Sequence, residues 1–211
     1  MAEDPRGVAP CFSTSAGCSE EFVVWNFVVA ELESARWGPR LRPRLEPSLL
    51  DRVRSGDFGT LSSEELRSLK TALLGHRGRF AELLLRPRTT WTVGRLRFDC
   101  LPKLRVIAEP DFVDRAPSRL LGEFAEATAR GEPPIRDFDE GFARLRSAFR
   151  IDRIRGLPIM VAEKEVGPYT IAEGLTRICC LQLAGKSGVS RPESIAVILG
   201  VDPGLSRWPW L

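Results

Sequence analysis

Histidine is almost missing from this chain: His76 is the single one among 211 residues. The five cysteines, at positions 11, 18, 100, 179 and 180, include no Cys-x-x-Cys pair. With one imidazole and no paired thiols, a structural zinc site lacks its ligands. The odd cysteine count without framework spacing reads as thiols of a reducing compartment. Cys179 and Cys180, adjacent in an apolar stretch, read as small packed hydrophobes. No apolar run is long enough to cross a bilayer. The start, Met1-Ala-Glu-Asp-Pro-Arg, is acidic and lacks an apolar segment, so no signal peptide and a cytoplasmic location are expected. There is no Rossmann glycine fingerprint, no Ser-His-Asp set and no internal repeat. Charge of one sign is also lacking: 31 basic against 28 acidic residues leave a net +3, which alone does not imply a nucleic-acid partner. The basic residues are overwhelmingly arginine.

What is present suffices for a core. At 43% hydrophobic, the chain can build one globular domain with a helical extension. Residues 1–17, rich in Ala, Gly, Pro and Ser, read as a loose leader. Ser19 caps a predicted helix with Glu20 and Glu21 in its first turn and Phe22, Trp25, Val29 and Leu32 along one face. The Arg/Pro segment 37–47 reads as non-helical, a basic arm or a solvated linker. Ser48–Arg54 is a short helix ended by Gly56. Ser62-Ser-Glu-Glu65 is a capping box opening a helix with Leu66, Leu69 and Leu73 on a stripe. His76 falls in the Gly75–Gly78 interruption, where solvent exposure is expected, and a further helical piece runs to Pro87.

Thr89–Phe98 reads as a strand, with Gly94 suggesting a bulge that switches its buried face. Leu104–Ile107 is a second candidate strand. Asp111 and Asp114 form an acidic pair that reads as metal ligands or as solvated turn residues. Ser118 and Asp139 are read as caps of two helices, the first stopped by Gly131. Arg150, Arg153 and Arg155 then lead into Gly156-Leu-Pro158.

The stretch 157–200 carries the functional signal. Leu157–Ala162 is a short buried strand, 164–167 a turn and Tyr169–Ala172 a second strand. Glu173-Gly174 breaks that strand before a buried helix from Thr176, and Ile195–Leu199 is a third strand. A strand running through glycine into a helix presents open backbone N–H groups, which with the helix dipole favour an anion such as phosphate. Arg177 could fork onto phosphate oxygens, Thr176 adds a hydroxyl, and Glu173 could hold a metal or accept a proton. The alternative is a buried strand–helix junction with Arg177 in a structural ion pair. Gly185-Lys-Ser-Gly188 is not a P-loop, because it follows a helix rather than opening one.

The segments Pro158-Ile-Met-Val161, Tyr169-Thr-Ile-Ala-Glu-Gly-Leu-Thr-Arg177 and Cys180-Leu-Gln-Leu-Ala-Gly185 resemble the ParB/sulfiredoxin-like superfamily, with the core of the likeness over Leu157–Gly200. Many members read Glu-Gly-His-Thr-Arg at the turn; Leu175 stands here where they carry a polar residue. The family includes CTP-dependent clamps, an ATP-using sulfinic-acid reductase, free-serine kinases and nucleases. The resemblance implies an α/β (α+β) fold with a small mixed sheet, spanning 89–211, and an N-terminal helical region, 1–88, packed on it. It implies a nucleoside triphosphate, ATP or CTP with Mg, held by Gly174, Leu175, Thr176 and Arg177 and by Arg150 and Arg153. Glu173 would be the catalytic and metal-holding carboxylate, for hydrolysis or phosphotransfer. The alternatives are a non-catalytic interaction module, a homodimer or protein partner docking on the N-terminal helices or the Trp208–Trp210 tail, and a DNA-binding clamp or nuclease.

Overall fold

A computed structural model of the chain describes residues 10–34, 36–147, 155–185 and 192–208. The fold is mixed α/β, built on a six-stranded mixed sheet. Its strands are β1 (Phe12–Gly17), β2 (Thr90–Arg97), β3 (Arg105–Val106), β4 (Ile159–Ala162), β5 (Thr170–Glu173) and β6 (Ser194–Val201). The spatial order is β1-β2-β6-β4-β5-β3, with β6/β4 and β5/β3 parallel and the other pairs antiparallel. β4 lies inside the sheet and is buried at all four positions, which is why its sequence is apolar without alternation.

The N-terminal region supplies α1 (Glu20–Glu33), α2 (Gly38–Leu41), α3 (Pro47–Ser55), α4 (Ser63–Arg77) and α5 (Arg79–Leu84). The later helices are α6 (Pro110–Arg115), α7 (Leu121–Arg130), α8 (Arg136–Ser147) and α9 (Leu175–Ala184). α1 packs against α2, α3 and α4, while α7 and α8 pack against α9. One hydrophobic cluster runs through both groups.

α1 differs from the expected one-faced helix. Val23, Val24, Phe27, Val28 and Leu32 are all buried, and the expected face of Phe22 and Trp25 is instead its outer edge, in a ring cluster with Phe58. A helix apolar almost all round belongs inside. Two polar side chains are buried with it, Asn26 and Glu31. Asn26 is a clamp: its Nδ2 donates to the Leu157 carbonyl at 2.8 Å, and its Oδ1 accepts from the Leu157 N–H at 2.6 Å. The amide thus satisfies both backbone groups of the residue two positions ahead of β4.

Other expectations need correction. Part of the expected loose leader is β1, which pairs with β2. Cys11, just before it, is bonded to Cys100, so the reading of all five cysteines as thiols fails. Gly94 makes no bulge in β2, which stays in register with β6 over all eight residues; the irregularity lies in β1, between Thr14 and Ala16. Gly94 is required for a different reason: a Cβ there would sit 2.3 Å from the Phe12 ring. The Arg/Pro segment does turn helically, in α2 and a 3-10 turn at Arg42–Arg44, because proline is tolerated in a first turn, where no N–H is needed. Ser118 is not the cap of α7, which begins at Leu121; its hydroxyl accepts from the Leu120 N–H. Asp139 lies inside α8 rather than at its cap and accepts from the Ile135 N–H at 2.8 Å. The capping box at Ser62 and Glu65 is formed as expected.

Candidate functional site

The junction between β5 and α9 has the expected form. β5 ends at Glu173, Gly174 takes a left-handed conformation at φ +87°, and α9 starts at Leu175. Gly174 is packed tightly: a Cβ there would sit 3.3 Å from Pro158 and 3.0 Å from the Arg177 guanidinium, on a backbone that side chains rarely adopt. No side chain caps α9. The backbone N–H groups of Leu175, Thr176 and Arg177 make no hydrogen bond among the described residues, and all three residues are half-buried. These are the open donors of a helix start.

Arg177 is not open. One terminal nitrogen donates to the carbonyls of Arg155 and Gly156, both at 2.6 Å, and the other is ion-paired with Glu173. The guanidinium is therefore a staple that holds the entry to β4 against the end of β5. Gly156, at φ +71°, is pressed on its other side against Ala30 and Asn26, so α1 and Arg177 grip the same three residues, Arg155–Leu157. The alternative reading of Arg177 as a structural ion pair describes its bonding here.

Glu173 is 14% exposed. Burial pushes its carboxyl above the ordinary value; the Arg177 charge pulls against that, Glu31 adds to the rise and Arg77 opposes it. Glu31 and Arg77 thus belong to the surroundings of Glu173, although they come from α1 and α4. Glu31 Oε1 lies 3.5 Å from Arg77 Nε, and Oε2 lies 3.7 Å from His76 Nε2. His76, expected in a solvated break, is in the last turn of α4 with its imidazole only 3% exposed, edge-on to Trp37. Glu31 Oε2, His76 Nε2 and Arg77 Nε are buried without a hydrogen-bond partner among the described residues. Three such atoms in one cluster are uncommon in a folded protein.

Of the other expected site residues, Arg150 and Arg153 lie outside the described residues, as do Lys186, Ser187, Gly188 and Trp210. Trp208 is 2% exposed and packs on Phe80 of the helical region. Cys179 and Cys180 are buried in α9, and burial pushes the Cys180 thiol up to about 12, so it does not act as a thiolate. Asp111 and Asp114 join no metal-ligand group: among the described residues no cluster of three His, Cys, Asp or Glu side chains could hold an ion. No helix among the described residues is long and apolar enough to cross a membrane. An open cleft of about 700 Å³, bordered by Phe98, Pro102, Gln182 and Pro192, lies toward the other end of α9 and contains none of the expected residues.

Sequence reasoning missed Glu31 and Arg77. A signal existed for the first: Glu31 is a lone carboxylate inside the apolar run from Phe27 to Leu32. A buried charge in such a run calls for a partner.

Comparison with known proteins returned no match to a family model, a curated protein or a solved structure. The class that the fold defines is therefore a mixed α/β protein with a six-stranded sheet and a strand–Glu-Gly–helix junction.

Proposed function

We propose that this protein binds the polyphosphate of a nucleoside triphosphate at the start of α9. The observation that carries the reading is the set of three open N–H groups at Leu175, Thr176 and Arg177, reached through the left-handed Gly174. Such a helix start holds phosphate through its donors and its dipole. The Arg77 guanidinium, paired with Glu31 and acting electrostatically on Glu173, supports the reading by adding a second cation to the surroundings of the junction. The likeness of residues 157–200 to ParB/sulfiredoxin-like proteins points to the same ligand class, ATP or CTP, with magnesium carried on the phosphates. Glu173, engaged by Arg177, serves in this reading to set the guanidinium rather than to ligate metal.

The test is thermal unfolding with ATP, CTP, GTP and UTP, with and without magnesium. A ligand at a hundred times its Kd stabilises the folded state by about 2.7 kcal/mol. For a chain of this size that corresponds to roughly 5–10 °C. Thr176→Glu is the matching variant. A carboxylate in the first turn suits the helix dipole, so the fold is kept, while a phosphate is repelled. The expected result is a shift with one or more nucleotides that disappears in Thr176→Glu. A shift that survives Thr176→Glu, or none with any nucleotide, sinks the proposal.

A further inference from the structure

We propose that the cleft near the C-terminal end of α9 binds an extended peptide segment of a partner protein. The Gln182 side-chain amide clamps the backbone of that segment, and Phe98, Pro102 and Pro192 receive its apolar side chain. The site shares no residue with the nucleotide reading and does not depend on it.

The argument starts at Gln182, in the last turn of α9. This residue is 7% exposed and borders the cleft of about 700 Å³. Its amide makes no hydrogen bond among the described residues, yet neither amide atom is sealed from solvent. The amide of a residue so enclosed opens on the cleft it borders. Buried polar groups in folded proteins are nearly always hydrogen-bonded, so an amide left open here calls for a partner that enters the cleft.

A primary amide carries an acceptor oxygen and a donor nitrogen side by side. Their complement is the N–H and C=O of a backbone residue. The chain already makes this pairing once, where Asn26 takes both backbone groups of Leu157 at 2.8 and 2.6 Å. At Gln182 no segment of the described chain supplies the backbone.

The walls are preformed. Phe98 and Pro102 belong to one 3-10 turn, Phe98–Lys103, which also contains Cys100 and is pinned by its bond to Cys11. Pro102 packs on Gly122 of α7, where a Cβ would lie 3.3 Å away. The Phe98 N–H donates to the Glu193 carbonyl at 2.9 Å, which fixes the opposite wall against the first. A site held open in this way needs little ordering when it binds. The charged groups on its border are Arg97, Asp99 and Glu193. Arg97 engages both oxygens of Asp99, while the Glu193 carboxylate has no ion pair among the described residues. One uncompensated carboxylate favours a segment with a basic residue beside the apolar one.

The experiment titrates the full chain with acetylated, amidated tripeptides, followed by amide NMR. Each has a central leucine, phenylalanine or proline, flanked by arginine in one set and by glutamate in the other. Peptide is added to about 5 mM, where even a Kd of ~1 mM gives clear occupancy. Saturable shifts are expected at Phe98, Glu193 and the Gln182 side-chain amide with at least one arginine-flanked peptide. Gln182→Leu is expected to weaken that peptide by about tenfold, the effect of two lost hydrogen bonds. It should not lower the melting temperature, because an unpaired amide gives way to an apolar group of similar shape. A purely structural glutamine would show the reverse, a lower melting temperature with affinity unchanged. Replacing the clamped peptide N–H by an ester oxygen should weaken binding severalfold. Glu193→Gln should remove the preference for arginine over glutamate. No saturable shift at the cleft with any peptide overturns the proposal. So does unchanged affinity in Gln182→Leu, or ester binding as tight as the amide. Equal shifts with N-methylacetamide alone overturn the peptide as ligand, and an intact arginine preference in Glu193→Gln overturns the charge assignment.

Discussion

Replacing Asp139 by alanine is expected to cost about 3–5 kcal/mol of stability, the effect of stranding one member of a buried ion pair. The stranded member is Arg115, at the end of α6, whose side chain has no exposure at all. Its guanidinium meets Asp139 through both carboxylate oxygens, the Pro133 carbonyl and the Thr128 hydroxyl, and it lies within 6 Å of the Phe124 and Phe138 rings. One side chain thus ties α6, α7 and α8 into the cluster that backs α9. Asp139 also holds the Ile135 N–H at the start of α8, so alanine removes a helix-start bond as well. Asp139→Asn keeps most of the shape and loses the charge, and a smaller loss is expected.

The pH dependence follows from the same contacts. Burial works against the Asp139 charge, but hydrogen bonds from Arg115 and the Ile135 N–H outweigh it and hold the carboxyl below its ordinary value. A depressed carboxyl contributes stability above the unfolded-state value, and that contribution is lost as pH falls through the folded-state one. Urea unfolding between pH 7 and 3 should show the wild type losing this increment on acidification and Asp139→Asn lacking it. Parallel profiles would show that the pair contributes no linked stability.

The second large effect concerns the bond between Cys11 and Cys100, which closes a loop across 89 residues. Chain-entropy arguments give about 4–5 kcal/mol for a loop of that length, an upper figure because denatured chains retain structure. The bond secures an edge strand. β1 is exposed at five of its six residues and pairs only with β2. Reduction, or the Cys11→Ser/Cys100→Ser pair, is expected to lower the melting temperature by about 10 °C or more. Amide exchange should rise first in β1, with β4 and β6 still protected. An unchanged melting curve with full loss of the disulfide would show that β1 pairing is sufficient by itself.

The contrast between β1 and β4 shows what was readable in the chain. β4, β5, α9 and β6 fall within about two residues of their expected bounds, because apolar runs and Gly/Pro punctuation are local signals. β1 reads Phe-Ser-Thr-Ser-Ala-Gly, with no alternation to find, and its fixation depends on a cysteine far along the chain. The rotation of α1 was hidden because nearly every side of it is apolar, so periodicity had no contrast. At the site, the Gly174 turn and the open N–H groups were legible, and an ion pair of Arg177 was the alternative reading; its partners, Glu173 and the carbonyls of Arg155 and Gly156, were not. Glu173 and Arg177 are four apart, but one is in a strand and the other in a helix, so the spacing rule for helix pairs does not apply. The burial of His76 was invisible for a related reason: Glu31 and Trp37, which enclose it, come from distant positions.

The Asn26 clamp on Leu157 has a consequence for how this chain can be divided. A side-chain amide there stands in for a neighbouring strand, offering one donor and one acceptor to a backbone that has reached the sheet without a partner on that side. A fragment beginning at residue 89 would keep all of β2 to β6 and still expose that gap, with two orphaned polar groups at the threshold of β4. Helix α1 is in effect a surrogate strand, and the boundary that the resemblance implies after residue 88 is not a line along which the molecule can be cut. Calorimetry of the intact chain should accordingly show one cooperative transition rather than two.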